Sequence, residues 1–73
     1  MPDTILIIDD EAAIREALSG ILSDEGFLPL SAASAEEGLQ LLDETDVQLV
    51  LLDIWMPGMD GMEALSQIRT RFA

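Results

Sequence analysis

Two short acidic segments hold the residues best suited to chemistry in this 73-residue chain. One is IIDDE, from Ile7 to Glu11, and the other is LLDIWMPGMDG, from Leu51 to Gly61. In each, an apolar run ends on aspartate: Asp9 and Asp10 in the first, Asp53 in the second. Carboxylates gathered at one spot repel each other, by roughly 4 kcal/mol for two unit charges about 4 Å apart at an effective dielectric near 20. Such a pocket must hold a proton or recruit a cation. Oxygen donors without nitrogen or sulfur select a hard ion, and so few carboxylates, leaving room for waters and a phosphate, favour Mg²⁺. A carboxylate beside bound Mg²⁺ is also suited to attack a phosphoryl group. Taken singly, each segment has a plainer explanation. Asp10 and Glu11 could serve a helix start. Asp53 could be an ordinary strand terminus, and MPGMDG a Pro/Gly turn with Asp60 as a cap.

Which explanation holds depends on the elements that carry the acids. Ile5 to Ile8 form a short, mostly β-branched run that suits a strand buried on both faces. Ile14, Ala17, Leu18, Ile21 and Leu22 then make an amphipathic helical stripe, with Gly26 placed to end the helix. Phe27 to Ala33 read as a second strand, which Pro29 assigns to a sheet edge. Ser34 and Glu37 form a capping-box pattern, followed by the stripe Ala35, Leu39 and Leu42. Val47 to Asp53 read as a third strand, apolar on both faces. After the loop from Met56 to Gly61, the residues Met62, Leu65, Ile68 and Phe72 mark a third helix. The order βαβαβα predicts an α/β fold with a parallel sheet and right-handed crossovers. With strand two outside strand one, the order is 2-1-3, and ligands bind beyond the strand ends at the switch point between strands one and three. That order brings Asp9, Asp10 and Asp53 to one edge of the sheet, which the plainer readings do not require.

Composition narrows the classes. Fifteen acids against three arginines give a net charge of −12. Such a chain repels phosphate backbones and anionic lipid surfaces, so neither nucleic acid nor membrane is an expected partner. The chain has no cysteine and no histidine. That removes thiolate zinc sites, cysteine nucleophiles and serine triads. There is also no lysine. MPDTILIIDDE lacks the basic region of a signal peptide, and no segment approaches the roughly 20 apolar residues needed to span a bilayer. A cytoplasmic location is the expectation.

The segments ILIIDDE, LLD and DIWMPGMDG together resemble the receiver domain of bacterial response regulators in two-component signalling. The wording of LLDIWMPGMDG is further similar to receivers of nitrogen-regulation-type activators of sigma-54 transcription. The resemblance implies a doubly wound, flavodoxin-like fold. It implies that Asp53 is the phosphoacceptor served by a sensor histidine kinase, in a protein that is not itself an enzyme. It also implies Mg²⁺ held by Asp10 directly, by Asp9 mainly through water, by Asp53, and by the backbone carbonyl of Trp55. Met56 and Pro57 would shape the loop, and Gly61 would let the chain enter the third helix. Transcription would be controlled through an output domain outside these residues.

A receiver has five βα units, so residues 1–73 are expected to form a partial receiver domain of about three. The serine or threonine after strand four and the lysine of strand five are not among them. Two other functions stay open on the residues alone. One is an interaction or dimerisation module that is never phosphorylated. The other is a Mg²⁺-dependent phosphatase with an aspartate nucleophile, whose Asp-x-Asp signature fails at Ile54 and Trp55. An EF-hand is excluded by the acid spacing. Strand three, interior in a complete receiver, becomes an edge here, and the first helix loses part of its cover. A symmetric homodimer, in which strand three or helix three of one copy covers the other, is therefore expected.

Overall fold

A computed structural model describes residues 2–53 and 61–72. Its element order is β1 (Thr4–Ile8), α1 (Ala12–Asp24), β2 (Leu28–Ala32), α2 (Ala35–Glu44), β3 (Leu49–Leu52) and α3 (Gly61–Arg71). The three strands form one sheet in the order β2-β1-β3. Both pairings are parallel: Ile8 lies opposite Ala32 on one side and opposite Leu52 on the other. All three strands thus end at the same level. The expected flavodoxin-like arrangement is the one observed.

β1 is the centre of the sheet, and Ile5 to Ile8 are all buried. Side chains alternate between the two faces of a strand. Leu6 and Ile8 join Ala32, Leu39, Val47 and Ile68 in the main core beneath α2 and α3. Ile7 instead lines a cleft with Ile14 and Leu18 of α1. The alternation in β1 therefore separates α1 on one face from α2 and α3 on the other.

Local sequence signals explain where the helices begin and end. Gly26 has φ of +90°, the left-handed conformation that glycine adopts without a Cβ penalty. The N–H of Gly26 donates to Ser23 O at 3.0 Å and that of Phe27 to Leu22 O at 3.0 Å. These are the two bonds of a Schellman C-terminus, which satisfy carbonyls left over by the helix. At the start of α2, Ser34 Oγ accepts from the Glu37 N–H at 3.2 Å. Glu37 Oε2 reaches back to the Ala33 N–H at 3.3 Å, one residue before the cap itself. Pro29 lies in β2, an outer strand, where a missing ladder donor is tolerated.

Three details differ from the periodicity alone. β3 is shorter than Val47 to Asp53, although ladder-like bonds flank it from Gln48 N to Thr4 O and from Asp53 N to Ile8 O, each 2.9 Å. It is also not buried on both faces, since Leu49 is 50% exposed. The cause is that β1 is the only strand beside it among the described residues, and α1 packs on β1 and β2 instead. The second difference is in α3. Its buried side is Gly61, Ala64 and Ile68, whereas Met62, Leu65 and Phe72 face outward. The small residues let the helix sit close to its neighbours, and the stripe read from large side chains alone is rotated. The third is α1, which buries no residue fully: Leu18 and Leu22 are half-covered and Ile14 and Ile21 exposed.

α2 approaches β1 closely at Gly38. A Cβ built there meets the side chain of Ile8, 2.7 Å from Cγ1 and nearer still to Cδ1. Ile8 is fully buried, so the clash cannot be relieved by swinging the side chain into solvent. Gly38→Ala gains about 1 kcal/mol of helix propensity but overpacks a tight core, at about 1–3 kcal/mol. The expected result is a midpoint of thermal unfolding lowered by roughly 5 °C. A midpoint that rises on scanning calorimetry would contradict this packing. α3 is tied to α2 by Arg71, whose Nε and Nη2 donate to the two carboxylate oxygens of Asp43 at 2.8 and 3.2 Å. The pair is solvent-exposed and adds little stability.

Candidate functional site

The carboxyl ends of β1 and β3 deliver the acids. The N–H of Asp53 donates to Ile8 O at 2.9 Å, which fixes the start of the segment after β3 against the last residue of β1. The N–H of Asp9 donates to Ala32 O at 3.1 Å, fixing the start of the β1–α1 junction against β2. Asp9, Asp10 and Asp53 each place a carboxylate oxygen within 4.8 Å of the other two. Asp9 and Asp53 are half-buried and Asp10 is exposed. The three residues that sequence reasoning selected are therefore neighbours in space. Asp9 and Asp53, with Glu11, form the acidic end of an open cleft of about 430 Å³ that continues over Ile14, Leu18 and Leu51.

The capping explanation accounts for only part of this arrangement. Glu11 is the N-cap of α1, yet its side chain makes no capping bond. Asp9 does the local work, accepting the Glu11 N–H on Oδ1 at 2.9 Å. A carboxylate has about four lone-pair sites, so a single bond leaves Asp9 with capacity to spare. The first turn of α1 contains no acid, so Asp10 lies outside the helix, where its carboxylate is gathered with those of Asp9 and Asp53. An oxygen-only set of this compactness fits a hard divalent cation with open positions for water. Trp55, Met56, Pro57 and Asp60 lie outside the described residues. Gly61 is the first residue of α3 and is buried.

Sequence reasoning missed Arg15. Its guanidinium is half-buried and donates through Nη1 to the Asp9 carbonyl oxygen at 2.7 Å. The available signal was a lone cation one turn into the helix that follows the acids, at a spacing that turns it back toward them.

The fold and the acid cluster define a class: a parallel α/β sheet of order 2-1-3 with an anionic pocket at its switch point. The chain belongs to the response regulator receiver domain family, whose model matches residues 5–73. It is a receiver module of two-component signalling. Over 70 residues it is 46% identical to an NtrX-like response regulator of Rickettsia bellii, covering 93% of this chain and 15% of that protein. The structure is similar to that of the response regulator TrrA from Thermotoga maritima in complex with Mg²⁺-BeF. The TM-score is 0.89 at 40% identity, covering 94% of this chain and 60% of that one. TrrA bound to the histidine kinase ThkA matches with a TM-score of 0.87 at 41% identity, covering 93% and 59% of the two chains. The chain thus spans a minor part of the regulators it matches and somewhat over half of the solved receivers. None of the described helices is long and apolar enough to cross a membrane.

Proposed function

We propose that this chain is the first three βα units of a Mg²⁺-dependent phosphoacceptor, with Asp53 receiving the phosphoryl group from a sensor histidine kinase. The observation that carries the reading is the meeting of three carboxylate oxygens within 4.8 Å at the sheet's switch point. In this reading Asp10 holds Mg²⁺ directly, Asp9 mainly through water, and Asp53 and the Trp55 carbonyl complete the protein's share. A bound Mg²⁺ supplies positive charge that offsets the acids and the incoming phosphoryl oxygens. A carboxylate oxygen of Asp53 attacks phosphorus, the bond from phosphorus to the donor nitrogen breaks, and its electron pair stays on the donor imidazole. The product is an acyl phosphate. The ladder-like bond from Asp53 N to Ile8 O keeps that residue fixed to β1 during the transfer.

The kinase partner draws support from the ThkA complex of the similar protein TrrA, and the metal from TrrA's Mg²⁺-BeF complex. The chain acts as an acceptor and a switch, not as a catalyst of turnover, in the cytoplasm. It passes its state to an output domain that regulates transcription. The test is incubation with a small phosphodonor, read by intact mass. The expected result is slow, substoichiometric labelling that appears with Mg²⁺ and is absent with EDTA. Labelling that ignores Mg²⁺ would overturn the proposal.

Self-association of the 73-residue polypeptide belongs to the same proposal. The outer side of β3 has no strand partner among the described residues. Leu49 on β3, Leu65 on α3 and Phe72 just past α3 are exposed. Strand edges with apolar surroundings favour pairing with a second copy. Light scattering at low micromolar concentration is expected to give a dimer, and a monomer there contradicts this part.

A further inference from the structure

We propose that Arg15 is the internal countercharge of the acidic pocket, holding the Asp9 peptide in place and offsetting the three carboxylates when no divalent ion is bound. The inference rests on the pocket being a Mg²⁺ site and concerns what tunes it. Arg15 is the cation whose hydrogen bond ends on a residue of the cluster, through Nη1 to Asp9 O at 2.7 Å. Arg71 is engaged with Asp43 on α2, and Arg69 lies near the end of α3. Carbonyl oxygens just past a strand end need a partner, and a guanidinium delivers a full positive charge together with the hydrogen bond. The half-buried position of Arg15 reduces the screening that an exposed side chain would suffer.

Two effects of removing the charge act in opposite directions. Losing the anchor loosens the Asp9 peptide, whereas losing the cation makes the pocket more attractive to Mg²⁺. The Asp9 peptide keeps other supports, since Asp9 N bonds to Ala32 O and Asp9 Oδ1 accepts from Glu11 N. The Glu11 carbonyl still receives the N–H groups of Ile14 and residue 15, both at 3.1 Å. Loss of charge therefore dominates. Even at about 10 Å and the dielectric of water, one positive charge changes the affinity for a divalent ion by about fourfold.

The test is calorimetric titration of Mg²⁺ into the wild type, Arg15→Gln, Arg15→Met and Arg15→Lys at low salt, with unfolding midpoints measured in EDTA and in saturating Mg²⁺. Both neutral variants are expected to bind Mg²⁺ about fourfold more tightly, and Arg15→Lys to stay within about twofold of the wild type. The gain should shrink at about 1 M salt, where charges are screened within roughly 3 Å. The midpoint of the neutral variants should fall more in EDTA than in Mg²⁺, which a merely structural strut would not produce. Neutral variants with unchanged or weaker Mg²⁺ binding overturn the countercharge, as does a lysine variant that gains as much as they do. Wild type that binds no Mg²⁺ at all defeats the underlying reading of the pocket instead.

Discussion

Phosphoryl uptake is expected to fall to background when Asp53 is replaced by asparagine. The substitution is nearly isosteric and keeps the backbone bond from residue 53 to Ile8 O, so the sheet and its end geometry survive. What is lost is the anionic oxygen that forms the new bond, since a carboxamide is not a nucleophile toward phosphorus at neutral pH. Asp9 and Asp10 keep their carboxylates beside residue 53 in this variant and are expected to take no label, since the proposed acceptor is Asp53 alone. Mass spectrometry of phosphodonor-treated Asp53→Asn should find no acyl phosphate. Label at wild-type level would remove Asp53 from the acceptor role. Uptake by the 73-residue wild type is itself expected to be slow. No lysine is present in the sequence, and losing one positioned electrostatic donor typically costs a factor of about 10²–10³.

The second large effect comes from Asp10→Asn, with opposite signs in the two metal conditions. Without divalent ions, three carboxylates within 4.8 Å of one another oppose folding. Relieving one of them should stabilise the chain by about 1 kcal/mol after solvent screening, a rise of roughly 4–8 °C in the unfolding midpoint for a domain this size. With Mg²⁺ the same change removes a ligand charge. A unit charge about 4 Å from a divalent ion is worth roughly 2 kcal/mol even at the dielectric of water, so affinity should fall about 30-fold. Scanning calorimetry of both proteins in EDTA and in Mg²⁺ decides the matter. A variant destabilised in EDTA would show that Asp10 serves the helix start and not the pocket. A stability gain in EDTA paired with a loss in Mg²⁺ is the behaviour expected of functional residues kept at a cost in stability.

Much of the site was legible because its parts lie at strand ends. Once β1 and β3 are recognised as parallel neighbours, the carboxylates that follow Ile8 and Leu52 must meet, whatever the loops do. Gly26 and Ser34 were legible for a similar reason: each acts through its own few neighbouring residues. Features that depend on what packs against an element were less so. The stripe Met62, Leu65, Ile68 and Phe72 follows the large apolar residues of α3, but the helix buries Gly61 and Ala64 in order to sit close. Only Ile68 belongs to both sets. Leu49 reads as core by composition and is half-exposed because one side of β3 has no neighbour among the described residues. Arg15 escaped notice because its role lies in a hydrogen bond to a backbone carbonyl, which leaves no complementary residue type in the sequence.

The central claim is that Asp9, Asp10 and Asp53 act together as one Mg²⁺ site. Calorimetric titration of Mg²⁺ into the wild type, Asp10→Asn and Asp53→Asn tests it most directly, with Trp55 emission as a parallel signal. Saturable binding of one ion per chain is expected in the wild type, weakened about 30-fold by either substitution. Equal affinity in all three proteins, or no saturable binding in the wild type, would contradict it.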